Sequence, residues 1–165
     1  MDRFLILLLL IITIKTYSQE SIEEALKVYN SNSIAYISVK ELKQKIADKD
    51  QIYLLDTREK EEYQVSHLKN AIWIGYSDLE VTALVDVDPS AILVVYCSIG
   101  VRSEEIGEKL EEKGFHNVYN LYGGIFAWVN ASNPVYDAEQ QETQKVHPYD
   151  NYWGKLLQKG IKVYE

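Results

Sequence analysis

The sequence predicts an α/β protein built on an open sheet of mainly parallel strands, with helices on both faces. Three observations carry that expectation. Residues 52–55, 71–74 and 92–96 are short runs whose apolarity is continuous instead of alternating, the pattern of strands covered on both sides. Segments of helical length separate the later runs, and strand–helix alternation favours parallel strands joined by right-handed crossovers. The chain has 165 residues, of which 47% are hydrophobic, which is enough for one core and too little for two.

In chain order, residues 1–18 stand apart. Arg3 precedes a nearly all-aliphatic run, residues 4–14, and small polar residues follow it at 16–18. The run is short for a bilayer span, which needs about 20 apolar residues. Its layout matches a secretory signal cleaved after Ser18, so the domain is expected to be exported, periplasmic or secreted. Membrane contact is expected only if this segment stays attached. Ser21 with Glu24 has capping-box spacing, and Ile22, Ala25, Leu26 and Tyr29 follow at helical intervals, placing a short helix to about Asn30 within an N-terminal segment, residues 19–33. Ser38 with Glu41 repeats the device ahead of Val39, Leu42 and Ile46, the stripe of a second helix.

After the apolar runs at 52–55 and 71–74, residues 77–85 have the length of a helix. The run at 92–96 leads into a helix over 101–113 that Gly114 ends, residues 118–121 form another strand, and a last helix occupies 124–131. The main domain is thus expected at 34–131, with a C-terminal extension at 132–165. Within that extension residues 137–145 read as a polar linker or surface segment. Tyr152, Trp153, Leu156 and Leu157 then suit one face of a short amphipathic helix that Asp150 caps and Gly160 ends, docked on the domain's own surface.

Composition excludes several functions. The formal charge of −8, with no basic cluster, argues against nucleic acid. One cysteine cannot make an internal disulfide, so the core must hold the fold. His116 and His147 lack Cys, His or Asp neighbours at ligand spacing, so no metal is expected, and no cofactor. Gly123-Gly124 lacks the lysine and glycine spacing of a phosphate loop and suits a tight strand-to-helix turn. Phe126 and Trp128 read as core.

The informative passage is VVYCSIGVRSEEIGEKL. Cys97 ends an apolar strand, a short loop follows and a helix opens near Arg102, and open α/β sheets bind ligands at that carboxyl edge. Loop amides, the helix dipole and the Arg102 charge would stabilise a thiolate, leaving a nucleophile near neutral pH. Gly100 lets the backbone turn inward. Spacing alone leaves open that Cys97 is buried filler, because free cysteine is among the most buried residue types.

Three ordered stretches resemble the rhodanese homology domain. The first is Cys97-Ser98-Ile99-Gly100-Val101-Arg102-Ser103, which follows that family's loop Cys-x-x-Gly-x-Arg-Ser. The second is Leu55-Asp56-Thr57-Arg58, Glu62-Tyr63, His67-Leu68 and Ala71-Ile72, with Ser66 where the family usually has glycine. The third is Gly114-Phe115, Asn117-Val118, Leu121, Gly123-Gly124 and Ala127-Trp128. The resemblance spans about 34–131 and implies a rhodanese-like open sheet of about five strands. It implies a sulfurtransferase in which Cys97 carries sulfur as a persulfide, and Ser98, Ile99, Gly100, Val101, Arg102 and Ser103 shape the anion pocket. It implies a structural part for Asp56, Arg58, Glu62 and His67.

The expected reaction moves a sulfane sulfur from a small anionic donor, thiosulfate-like, to a thiol or cyanide. A non-catalytic carrier, binding or sensory module is the alternative. Phosphatase or arsenate reductase chemistry ranks lower: related enzymes of that kind place five residues between cysteine and arginine, and four separate Cys97 from Arg102.

Overall fold

The computed structural model describes residues 21–164, so the expected signal segment lies outside the described residues. Five parallel strands form the sheet: β1 (Ala35–Ile37), β2 (Ile52–Asp56), β3 (Ile72–Trp73), β4 (Ile92–Tyr96) and β5 (Asn117–Leu121), in the order β1-β5-β4-β2-β3. The middle strand is β4. It pairs with β2 from Ile52↔Ile92 to Asp56↔Tyr96, and with β5 from Ile92↔Asn117 to Val95↔Asn120.

Adjacent residues of β2 and β4 enter opposite cores. Leu54, Val94 and Tyr96 face the layer made by α1 (Ile22–Tyr29), α2 (Val39–Ala47), α3 (Lys60–Val65) and α5 (Gly124–Asn130), while Leu55, Leu93 and Val95 face α4 (Val101–Glu112). Apolar continuity along β4 is therefore the sequence record of a strand sandwiched between two hydrophobic layers. Leu55, Leu93, Val94 and Val95, fully withdrawn from water, each contribute roughly 1.5–3 kcal/mol. Both expected capping boxes form: Ser21 Oγ accepts from Glu24 N–H at 3.1 Å, and Ser38 Oγ from Glu41 N–H at 3.2 Å, each Glu returning a bond to the cap amide.

The structure departs from the sequence reading at four places. Residues 77–85 are not a helix beyond one 3-10 turn, Thr82–Leu84, because Glu80 N–H bonds back to Ile74 C=O at 2.7 Å and bends the chain, letting Leu84 plug the α4-side core. β1 was not anticipated, since its three residues offer no periodicity and owe their form to pairing with β5. Nor was α3, whose six residues show too little of an apolar stripe.

The fourth lies in the C-terminal extension. Asp150 Oδ1 does accept from the N–H groups of Tyr152 (2.8 Å) and Trp153 (2.7 Å), but the segment is a 3-10 turn, Trp153–Leu156, with Tyr152 exposed and Leu156 and Leu157 buried. Gly160 does not end it; with φ +89° it makes the turn before β9 (Ile161–Lys162), which pairs with β8 (Lys145–Val146). Upstream, β6 (Val135–Tyr136), just ahead of the polar stretch, and β7 (Glu142–Thr143), inside it, form a hairpin whose turn Asp137 braces through bonds from Glu139 and Gln141 N–H. The extension is fastened at Asn130, whose side chain donates to Leu156 C=O and accepts from Gln158 N–H.

Candidate active site around Cys97

Cys97 follows the last residue of β4, at the carboxyl edge of the sheet. Beyond it the chain turns through Ser98, Ile99 and Gly100 into α4. Gly100 is the N-cap of α4 with φ +111°, a conformation that resists a side chain, and there it donates its N–H to Cys97 Sγ at 3.1 Å. Two asparagines hold that turn from behind: the Gly100 carbonyl accepts from Asn120 of β5 at 2.8 Å and from Asn30, which ends α1, at 2.9 Å. Asn120 Oδ1 in turn accepts from the buried Ser103 hydroxyl at 2.8 Å.

A second clamp comes from α5. Its Ile125 and Phe126 N–H groups donate to the carbonyls of Cys97 (3.0 Å) and Ser98 (3.1 Å). This approach needs Gly124, where a Cβ would lie 2.3 Å from the Cys97 carbonyl oxygen. Gly123-Gly124 thus serves more than a tight turn: it lets a helix start press against the nucleophile's own backbone.

Electrostatics at the sulfur balance opposing effects. Burial pushes the Cys97 thiol up, but the Arg102 charge and the N–H groups of Ser103 and Gly100 outweigh it, leaving the thiol below its ordinary value. The side chain is fully buried in protein, yet with Ser98, Ile99, Val101 and Arg102 it floors a pocket of about 180 Å³. Tyr29, Tyr149 and Trp153 complete the walls.

Arg102 does not stand free. Its two terminal nitrogens donate to Glu62 Oε2 (2.7 Å) and Oε1 (2.9 Å), a bidentate pair, and one also reaches Ser98 Oγ at 3.1 Å. Ser98 donates onward to Glu62 at 3.2 Å. Burial pushes the Glu62 carboxyl up, but the bonds and charge of Arg102 carry it below the usual carboxylate range. Grouped in the sequence with Asp56, Arg58 and His67, Glu62 is placed by the structure against the loop arginine instead.

The other three lie elsewhere. Arg58, fully buried, clasps Asp56 at 2.6 and 2.9 Å and donates to Ser66 C=O, fixing the turn after β2. His67 stacks on Tyr63, bonds the Tyr63 carbonyl through Nδ1 at 3.0 Å and meets the Gln140 amide through Nε2 at 2.9 Å, tying the core to the extension. The sequence reading missed Tyr29, Tyr149 and Trp153 as pocket walls, because their arrival at one place is set by tertiary docking and leaves no local pattern.

Among the described residues there is no group of three or more His, Cys, Asp or Glu that could hold a metal ion, and no helix is long and apolar enough to cross a membrane.

Comparison with known proteins points the same way. The model of the family described as Rhodanese-like domain matches residues 38–131. The thiosulfate sulfurtransferase GlpE of Coxiella burnetii is 30% identical over 95 residues, 58% of this chain and 87% of that protein. Among solved structures, a rhodanese-related protein from Thermoplasma volcanium superposes with TM-score 0.53 at 28% identity, covering 61% of this chain and 96% of its own. A rhodanese-like domain protein from Staphylococcus aureus gives TM-score 0.51 at 28% identity, covering 58% and 91%.

Proposed function

The chain belongs to the rhodanese-like domain family, and we propose that it is a sulfurtransferase that takes a sulfane sulfur onto Cys97 as a persulfide and passes it to a thiophilic acceptor. With thiosulfate as donor, the Cys97 thiolate attacks the outer sulfur, the S–S bond to the sulfonate sulfur breaks with its electron pair, and sulfite leaves. A thiol or cyanide then attacks the terminal sulfur of the persulfide and Cys97 departs again as thiolate. The observation that carries this reading is the Gly100 N–H at 3.1 Å from Sγ, joined by Arg102, at the mouth of a parallel sheet. Donors fixed before the reaction stabilise charge on sulfur at no cost of rearrangement. They serve the persulfide's terminal sulfur as well as the thiolate. The apolar run at residues 4–14 leads us to place this reaction on the exported side of a membrane.

The test is mass spectrometry of the intact protein after exposure to thiosulfate. Cys97 is expected to gain the mass of one sulfur atom and lose it on adding cyanide, and Cys97→Ser to gain nothing. An unchanged wild-type mass, or an equal gain in Cys97→Ser, would overturn the proposal.

A further inference from the structure

Three walls of the Cys97 pocket come from outside the residues that match the family: Tyr29 from α1, and Tyr149 and Trp153 from the C-terminal extension. Two of them are in ring contact, and the third lies over the loop arginine. Trp153 meets Tyr29 edge-on at 5.5 Å and Tyr152 at 5.0 Å, and the Tyr149 ring lies 4.7 Å from the Arg102 guanidinium carbon. Ile99 and Val101 are the remaining apolar walls.

Charge in the pocket tells the same story. Its lining holds one cation, Arg102, which is paired through two bonds to Glu62 and capped by the Tyr149 ring. A dianion entering here meets one cation whose charge Glu62 largely offsets, inside walls that offer no other positive side chain, and loses its hydration for little return. A flat apolar body meets three rings. The volume of about 180 Å³ suits it, since an apolar cavity of about 150 Å³ holds a benzene molecule.

Building on the sulfur-transfer reading above, we propose that the extension makes this site selective for organic sulfane-sulfur donors, thiosulfonates or persulfides bearing one negative charge and an aromatic or bulky apolar body. Tyr149 is the specificity-determining residue. With a thiosulfonate the Cys97 thiolate attacks the terminal sulfur, the bond to the sulfonyl sulfur breaks and an organic sulfinate leaves with the electron pair. With a persulfide the organic thiolate leaves instead. Each loading step forms one S–S bond, breaks one S–S bond and needs no oxidant.

The experiment compares kcat/KM for benzenethiosulfonate and for thiosulfate with one acceptor thiol, following Cys97 persulfide by intact mass. In a two-step displacement this parameter reports loading alone. Wild-type protein is expected to favour benzenethiosulfonate by about tenfold or more, from ring contacts and one charge less to desolvate. Tyr149 sits at φ +66°, which asparagine tolerates, so Tyr149→Asn removes the ring without straining the turn. That variant should lower the donor ratio about fivefold, chiefly through KM of the aromatic donor, and Tyr149→Phe should retain it. Equal or better use of thiosulfate by the wild type, or an unaltered ratio in Tyr149→Asn, overturns the inference while leaving sulfur transfer standing. Failure of both donors to load Cys97 overturns the two together.

Discussion

At the scale of single residues, the decisive relation is between Cys97 and the charge beside it. Thiolate is the attacking form, so loading falls as pH drops through the thiol's value. Because Arg102, Ser103 and Gly100 hold that value below the ordinary one, the acid limb of kcat/KM should lie below the usual thiol range, ~8.5. Arg102→Gln removes the positive charge and leaves the Gly100 amide in place. Its limb should move toward alkaline pH, and Arg102→Lys, which keeps charge without the fork, should move less. A pH profile of the loading rate, or of alkylation of Cys97, measures this directly. An unmoved limb in Arg102→Gln would show that the backbone amides suffice.

Glu62 makes a complementary case. Its carboxylate is almost wholly buried and is the ion partner of Arg102, so Glu62→Ala strands a cation in a largely dry site. Losing one member of a buried pair costs about 3–5 kcal/mol, and slight exposure of Arg102 puts the expected loss near the lower end, about 3 kcal/mol, in chemical denaturation. Glu62→Gln, which keeps the shape and one acceptor oxygen, should lose less.

At the scale of elements, the loop after β4 works because two neighbours press on it: β5 with Asn120 on one side and the start of α5 on the other. Gly124→Ala tests the second. Its Cβ would overlap the Cys97 and Ser98 carbonyls at 2.3 and 2.7 Å, in backbone that is already left-handed. A stability loss of at least about 2 kcal/mol is expected, along with slower loading of Cys97, because helix and loop must part. Gly114→Ala, equally left-handed but with open space around its Cβ, controls for backbone strain alone. Comparable loss of loading in both would mean that the clamp has no special role.

The elements also show why parts of the fold were legible. β2 and β4 announced themselves because strands buried on both faces must be apolar at nearly every position. Capping boxes marked α1 and α2 for a similarly local reason. Nothing local marks β1, three residues made a strand only by β5, or the aromatic walls at Tyr149 and Trp153, which reach Cys97 through docking of the extension. Cys97, Gly100 and Arg102 were legible as a spacing, but the bond from Arg102 to Glu62, forty positions away, was not. The sequence offered Glu62 only as one of four charged residues, and the sheet order decided which cation it meets.

At the scale of the whole molecule, charge shapes what reaches the pocket. The chain carries a formal −8, and its field opposes the approach of anionic donors in proportion to their charge. Salt screens that field over a Debye length of about 10 Å at 0.1 M. Raising sodium chloride from about 0.02 to 0.3 M should therefore increase kcat/KM for dianionic thiosulfate, by about two- to threefold, and raise that for monoanionic benzenethiosulfonate less. The preference between the two donors then narrows with salt but does not vanish, because contacts with Tyr29, Tyr149 and Trp153 are short-ranged and indifferent to screening. A preference abolished at high salt would assign selectivity to the acidic surface alone, and a preference that persists there while collapsing in Tyr149→Asn would assign it to the rings. The two effects act in the same direction on donor choice, one during approach and one after entry, so salt and mutation together separate them where either measurement alone would not.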